Sequence, residues 1–168
     1  MTDISKYLNI LQGDNREGCK RMWNYFIEKC NTAKGSSHNH QYWEGGYFDH
    51  IKEIMDYAEI LYNSMSKYRT LPFTLSDAIL ILFLHDIEKP IKYGTNLSVS
   101  HMSNHEIRDM LMKDYCISLS EYQLNGLNYI HGEGSEYRSD HRVMNELAAF
   151  CHCCDIISAR IYYDYPKK

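Results

Sequence analysis

The sequence has no long apolar run, almost no strand signal, no repeat and no low-complexity tract. Its oiliest stretch, Ala78-Ile-Leu-Ile-Leu-Phe-Leu84, spans seven residues, far short of the roughly 20 that a membrane-crossing helix requires. The opening MTDISKYLNILQGDNREGCK has no basic start followed by an apolar stretch, so no signal peptide is expected. Six cysteines are present, and Cys153 and Cys154 are adjacent, which disfavours an ordinary disulfide framework and points to a reducing cytoplasm. A net charge of −4 and a pI near 6.1 exclude coating of nucleic acid by bulk charge, although not a small basic pocket. Neither a Gly-x-Ser-x-Gly turn nor a Ser-His-Asp arrangement appears, so any chemistry must be carried by a metal.

What is there is helical spacing. At 168 residues the chain is one domain, large enough to bury a real core. Tyr7, Leu8, Ile10 and Leu11 predict a short first helix, and Met22, Trp23, Tyr25, Phe26 and Ile27 a second that ends near Cys30. From Tyr47 to Tyr62, Phe48, Ile51, Ile54, Met55, Ala58 and Leu61 recur at three and four, the pattern of an amphipathic helix. Thr74 with Asp77 forms an N-cap pair after the Leu71-Pro72 break and opens the oily helix. Ser103-x-x-Glu106 and Ser118-x-x-Glu121 read as capping boxes for two more. A last helix is expected from about His141 to Tyr163. The fold class is all-α, a bundle of about six or seven helices.

Three of these helices carry an ionisable residue where apolar ones are expected. His50 lies early in the 47–62 helix, His85-Asp86 closes the oily one, and Asp155 sits in Cys151-His-Cys-Cys-Asp-Ile-Ile-Ser-Ala159. A carboxylate in such a segment needs a charged partner or a metal. Arg160 or His152 could serve as a structural partner for Asp155. Neutral imidazole and carboxylate together suit a divalent transition metal, with Asp86 able to bridge two ions. The Cys-His-Cys-Cys patch lacks a second pair and reads as small buried hydrophobes.

The ordered set His50 … His85-Asp86 … Asp155 resembles the HD-domain superfamily. "WEGGYFDH" resembles its Gly-Gly-x-x-x-His opening. "LFLHDIEKP" resembles its His-Asp-Ile-Gly-Lys-Pro segment, with Glu88 where glycine is usual. "CCDIISAR" resembles its closing Ala-Asp-x-x-Ser-Ala-Arg. The resemblance covers residues 38–163 and divides the chain into an N-terminal helical segment, 1–35, packed on an HD core, 36–168. It implies an all-α fold that binds one or two divalent ions (Mn, Fe, Ni, Co or Mg) and hydrolyses phosphate esters of nucleotides. Members with two metals carry two further histidines in the interval before the final Asp. His105, in "HEIRDML", and His131 fit that order, with His101 a competitor for the first. Each also has a plain reading, His105 as a surface residue in a first helical turn and His131 as a helix C-terminal partner.

The resemblance makes Asp86 and Lys89 the candidate catalytic residues, with Lys89 meeting the substrate phosphate; a solvated helix-end charge is the alternative. His38 and His40, before the Gly-Gly turn, could contact substrate or be plain loop residues. Arg138, His141 and Arg142 could rim the site or form a solvated charge run. The chain lacks the His-His-Glu … Gly-Tyr-Pro loop of cyclic-di-GMP phosphodiesterases, and a Glu four residues after His85, found in some mononuclear nucleotidases, is here Lys89. The implied function is a phosphodiesterase or phosphatase that acts on a nucleotide or short oligonucleotide ester through an ion-activated hydroxide. A di-iron oxygenase acting on a small polyol or phosphonate, and a non-catalytic ligand-binding HD fold, are the alternatives. The expected partner is a small phosphorylated substrate, with no membrane.

Overall fold

The computed structural model describes residues 3–94 and 101–164. Among them every regular element is helical, as expected: α1 (Ser5–Leu8), α2 (Gly13–Lys29), α3 (Gly46–Met65), α4 (Leu75–Leu84), α5 (Lys89–Gly94), α6 (Asn104–Asp114), α7 (Glu121–Asn128) and α8 (Glu146–Ile161), with a 3-10 turn at Gly134–Glu136. None of these helices is long and apolar enough to cross a membrane.

Helix α4 organises the bundle. Ala78 through Leu84 are all buried, and a helix that is apolar all round belongs at the centre of a core. Helices α3, α7 and α8 pack on it, and α3 also packs on α8. The apolar stripe of α3 (Phe48, Ile51, Ile54, Met55, Ala58) is buried as its spacing requires. Helix α2 closes one flank with aromatic rings. Trp23 meets Phe48 edge-on at a centroid distance of 5.0 Å, and Phe26 meets Tyr47 at 6.4 Å. Residues of α1 and α2 thus share one continuous cluster with α3, α4 and α8.

The helix starts follow from local hydrogen bonds. The amide of Asp77 donates to Thr74 Oγ1 at 3.1 Å, and the Thr74 amide donates to the Asp77 carboxylate at 2.8 Å. Ser103 and Glu106 form the same reciprocal box. The Ser118-Glu121 box is corrected: α7 is capped by Ser120 with Gln123. Ser118 is instead engaged by its backbone, whose N–H and C=O both bond the Asn15 side chain. The last helix starts later than expected, at Glu146, because Asn145 accepts from the Ala148 amide and so caps it there. Residues 137–145 are a loop pinned by Asn125, whose side chain donates to Val143 O and accepts from the Asn145 amide.

The Gly-Gly turn before α3 is sterically obligatory. Gly45, the N-cap, takes φ = +76°, a region where only glycine sits freely. A Cβ on Gly46 would lie 2.0 Å from the carbonyl oxygen of Gln41. That carbonyl is held in place by the Gly35 amide at 2.7 Å, and Gln41 is itself buried with φ = +47°. Gly46→Ala should therefore destabilise the fold by about 2–3 kcal/mol, measured by urea unfolding; a loss below a few tenths of that would show that the loop can move away.

Candidate metal centre

The core that α4 builds stops abruptly at His85. This residue is the C-cap of α4, and its Nδ1 donates to Leu82 O at 2.7 Å, so satisfying a last-turn carbonyl that has no helical partner. The bond fixes the ring and leaves Nε2 facing away from α4. Asp86 follows in the turn that leads to α5. Helix α3 brings His50 alongside, α8 brings Asp155, and the segment after α7 brings His131. His50, His85, Asp86 and Asp155 are buried, whereas the His131 side chain is 60% exposed.

Five donor groups converge. His50 Nε2 lies 3.3 Å from His85 Nε2 and 3.2 Å from Asp155 Oδ1. His85 Nε2 lies 3.1 Å from Asp86 Oδ2 and 3.7 Å from Asp155 Oδ1. His131 Nε2 completes the group, 3.9 Å from Asp86 and 4.0 Å from Asp155. Two overlapping triads, His50-His85-Asp86 and His85-His131-Asp155, have ligand atoms within 4.8 Å of one another and could hold a metal ion.

The chemistry of the donor set fits a cation. The far nitrogens of both buried imidazoles are committed as donors, that of His85 to Leu82 O and that of His50 to Ser158 Oγ at 2.9 Å. Ser158 Oγ in turn donates to Glu53 at 2.6 Å and accepts from Gln41 Nε2 at 3.0 Å. Each ring therefore points an Nε2 lone pair at the other, an arrangement that repels unless a proton or a cation lies between them. Outer hydrogen bonds of this kind set the tautomer of ligating histidines.

Electrostatics show what fills that role in the metal-free state. Against the penalty of burial, Asp86 and Asp155 push His85 up to about 10. Asp86 is held well below the usual carboxylate range by His85 and Lys89, again against burial. Asp155 is lowered by His50 and His85. Burial lowers His50 and His131. Two carboxylates are thus balanced by one imidazolium and the Lys89 ammonium, which lies 2.5 Å from Asp86 Oδ2. Glu88, in the position of the expected glycine, is buried, and burial together with Asp86 pushes its carboxyl upward.

The other expected residues divide. His40 belongs to the site: its ring centroid is 5.6 Å from that of His50, and burial with His50 and Lys89 lowers it to about 4. His105 is not brought in. It is exposed in the first turn of α6, with Nδ1 bonded to Arg108 at 2.7 Å. His38 and His101 are also exposed. Arg142 pairs with Glu146 at 2.7 Å and Arg138 donates to the carbonyls of Ser135 and Tyr137; with His141 they line a separate shallow depression. Asp155 takes His50 and His85 as partners rather than Arg160 or His152. Glu53, Ser158 and Gln41 were not foreseen, although Glu53 lies three residues beyond His50 on the same helix face. No family model matches the chain, and neither a curated protein nor a solved structure matches it.

Ser158→Ala should weaken Mn²⁺ binding by about 10- to 100-fold, because the His50 ring loses the bond that orients it. Calorimetric titration of metal-stripped protein measures this, and unchanged affinity would show that Ser158 has no part in holding His50.

Proposed function

We propose that this chain is a metal-dependent phosphohydrolase of the HD type that cleaves nucleotide or short oligonucleotide phosphate esters. The observation that carries the reading is the convergence of His50, His85, Asp86, His131 and Asp155 beside a cavity of about 350 Å³ lined in part by His40, His131 and Asp155. His50, His85-Asp86 and Asp155 follow the order in which the HD superfamily presents its basic ligand set, His131 falls at one of the two further histidines of its two-metal members, and the resemblance of the flanking segments supports the same reading.

A divalent cation held by this cluster supplies Lewis-acid activation of water, and with His85 neutral it replaces the metal-free balance by an excess of positive charge, which favours an anionic group. The chain's own residues do the rest. His50 and His85 hold their lone pairs inward by the bonds to Ser158 and Leu82. His131, the exposed member, stands where the cluster opens to the cavity. Lys89, whose ammonium pairs with Asp86, would neutralise non-bridging phosphate oxygens as charge builds on them. His40 is neutral at pH 7 because it titrates near 4, so it offers a hydrogen bond rather than a charge. The oxygenase alternative calls on a second ion at His105, and that residue lies exposed beside Arg108.

Protein loaded with Mn²⁺ and assayed without oxygen should release phosphate or nucleoside monophosphate from a panel of nucleotides and linear or cyclic dinucleotides. Lys89→Ala should lower kcat/KM by about 10²-fold with metal content unchanged. Silence across that panel, with oxygen uptake on a polyol or phosphonate by iron-loaded protein, would refute hydrolysis.

A further inference from the structure

The cavity beside the cluster is built largely from one face of α8 and its C-terminal extension. His152, Asp155, Ile156, Ala159, Arg160 and Tyr163 line it, and their spacing of three and four places them on a single stripe. Asn39, His40 and His131 line it as well. The stripe has a chemical gradient. Asp155 places the cluster on it, one turn after His152. Ile156 and Ala159 make a low apolar floor. Arg160 stands beyond them, five residues from Asp155 and so about 7.5 Å farther along the helix axis.

Arg160 differs from most of the other arginines. Arg16, Arg21, Arg108, Arg138 and Arg142 all bond a neighbouring acceptor. Arg160 has none among the described residues, yet it lines the same cavity as the buried carboxylate of Asp155. Its guanidinium is free for a bidentate contact with an incoming anion. Flat rings line the same cavity. His152 is fixed by its Nδ1 bond to Ile130 O, and Tyr163 and His40 also face the cavity. Aromatic planes interleaved with a free cation form the pattern that binds single-stranded nucleic acid, where bases stack and phosphates pair. The volume, about 350 Å³, suits a short ligand rather than a long strand.

We propose that Arg160 is an anion subsite for the phosphate adjacent to the scissile one, so that the substrate class is a short linear oligonucleotide with one phosphodiester at the cluster and its neighbouring phosphate on Arg160. This rests on the phosphohydrolase reading of the same site. The separation along α8 is of the order of that between neighbouring phosphates in an extended strand, and the apolar floor of Ile156 and Ala159 lies between the two anchoring points.

The test is equilibrium binding to Mn²⁺-loaded protein of two diadenylates whose linkage is a cleavage-resistant phosphorothioate, one with a 5′-terminal phosphate and one without. The phosphorylated ligand should bind about 10- to 100-fold more tightly. Arg160→Ala should abolish that preference and Arg160→Lys should retain part of it, both with unchanged metal content and circular dichroism, since the side chain is exposed. Equal affinity of the two ligands for the unmodified protein, or a preference that survives Arg160→Ala, overturns the subsite. Hydrolysis of bis(p-nitrophenyl) phosphate, which has no second phosphate, reports on the parent reading separately. Hydrolysis without the preference leaves the hydrolase and removes the subsite, whereas the preference without hydrolysis removes the hydrolase and leaves Arg160 as an anion-binding site with no scissile phosphate beside it.

Discussion

Two carboxylates, Asp86 and Asp155, lie buried where the oily helix α4 ends, and the arrangement around them follows from the need to compensate their charge. Leaving one buried carboxylate unpaired costs several kcal/mol, a large share of the 5–15 kcal/mol that holds a domain of this kind together. Surface ion pairs such as Arg142–Glu146 contribute a fraction of that. The compensation therefore has to come from within the cluster. In the metal-free state it comes from the His85 imidazolium and Lys89, and a divalent cation can take the place of the proton on His85.

The scaffold brings residues that could hold an ion from distant parts of the chain to one point. Helix α4 is wrapped by α3, α7 and α8, so His50, Asp155 and His131 reach its C-terminus from three directions. The support extends outward. Gly46 lets the Gln41 backbone approach α3, and Gln41 then reaches Ser158 and Glu53, the pair that holds His50. A steric requirement at the Gly-Gly turn is thereby coupled to the direction of an imidazole lone pair.

Much of this was legible in the sequence because it is local or periodic. The stripe of α3, the caps at Thr74 and Ser103, and the buried run of α4 each follow from residues within one or two turns of one another. The carboxylate at 155 in an apolar helix signalled a charge partner, and the structure supplies His50 and His85. Non-local competition was not legible. Ser118 was bound by Asn15, about a hundred residues away, so Ser120 became the cap. His105 fitted the order of a second ligand pair, but order carries no direction, and its side chain turns to Arg108 and solvent. The Glu53–Ser158–His50 relay joins α3 to α8 across 105 positions of sequence. That the face of α8 carrying Asp155 and Arg160 borders a cavity is revealed only by the fold.

The central claim is that the His–Asp cluster exchanges a proton for a divalent cation. Its most direct test is calorimetric titration of metal-stripped protein with Mn²⁺ at pH 8, repeated in buffers of different ionisation enthalpy. Because His85 holds its proton up to about pH 10 when no metal is present, binding should displace that proton. The account predicts one ion per chain and release of about one proton on binding. Absence of binding, or binding without proton release, would contradict it.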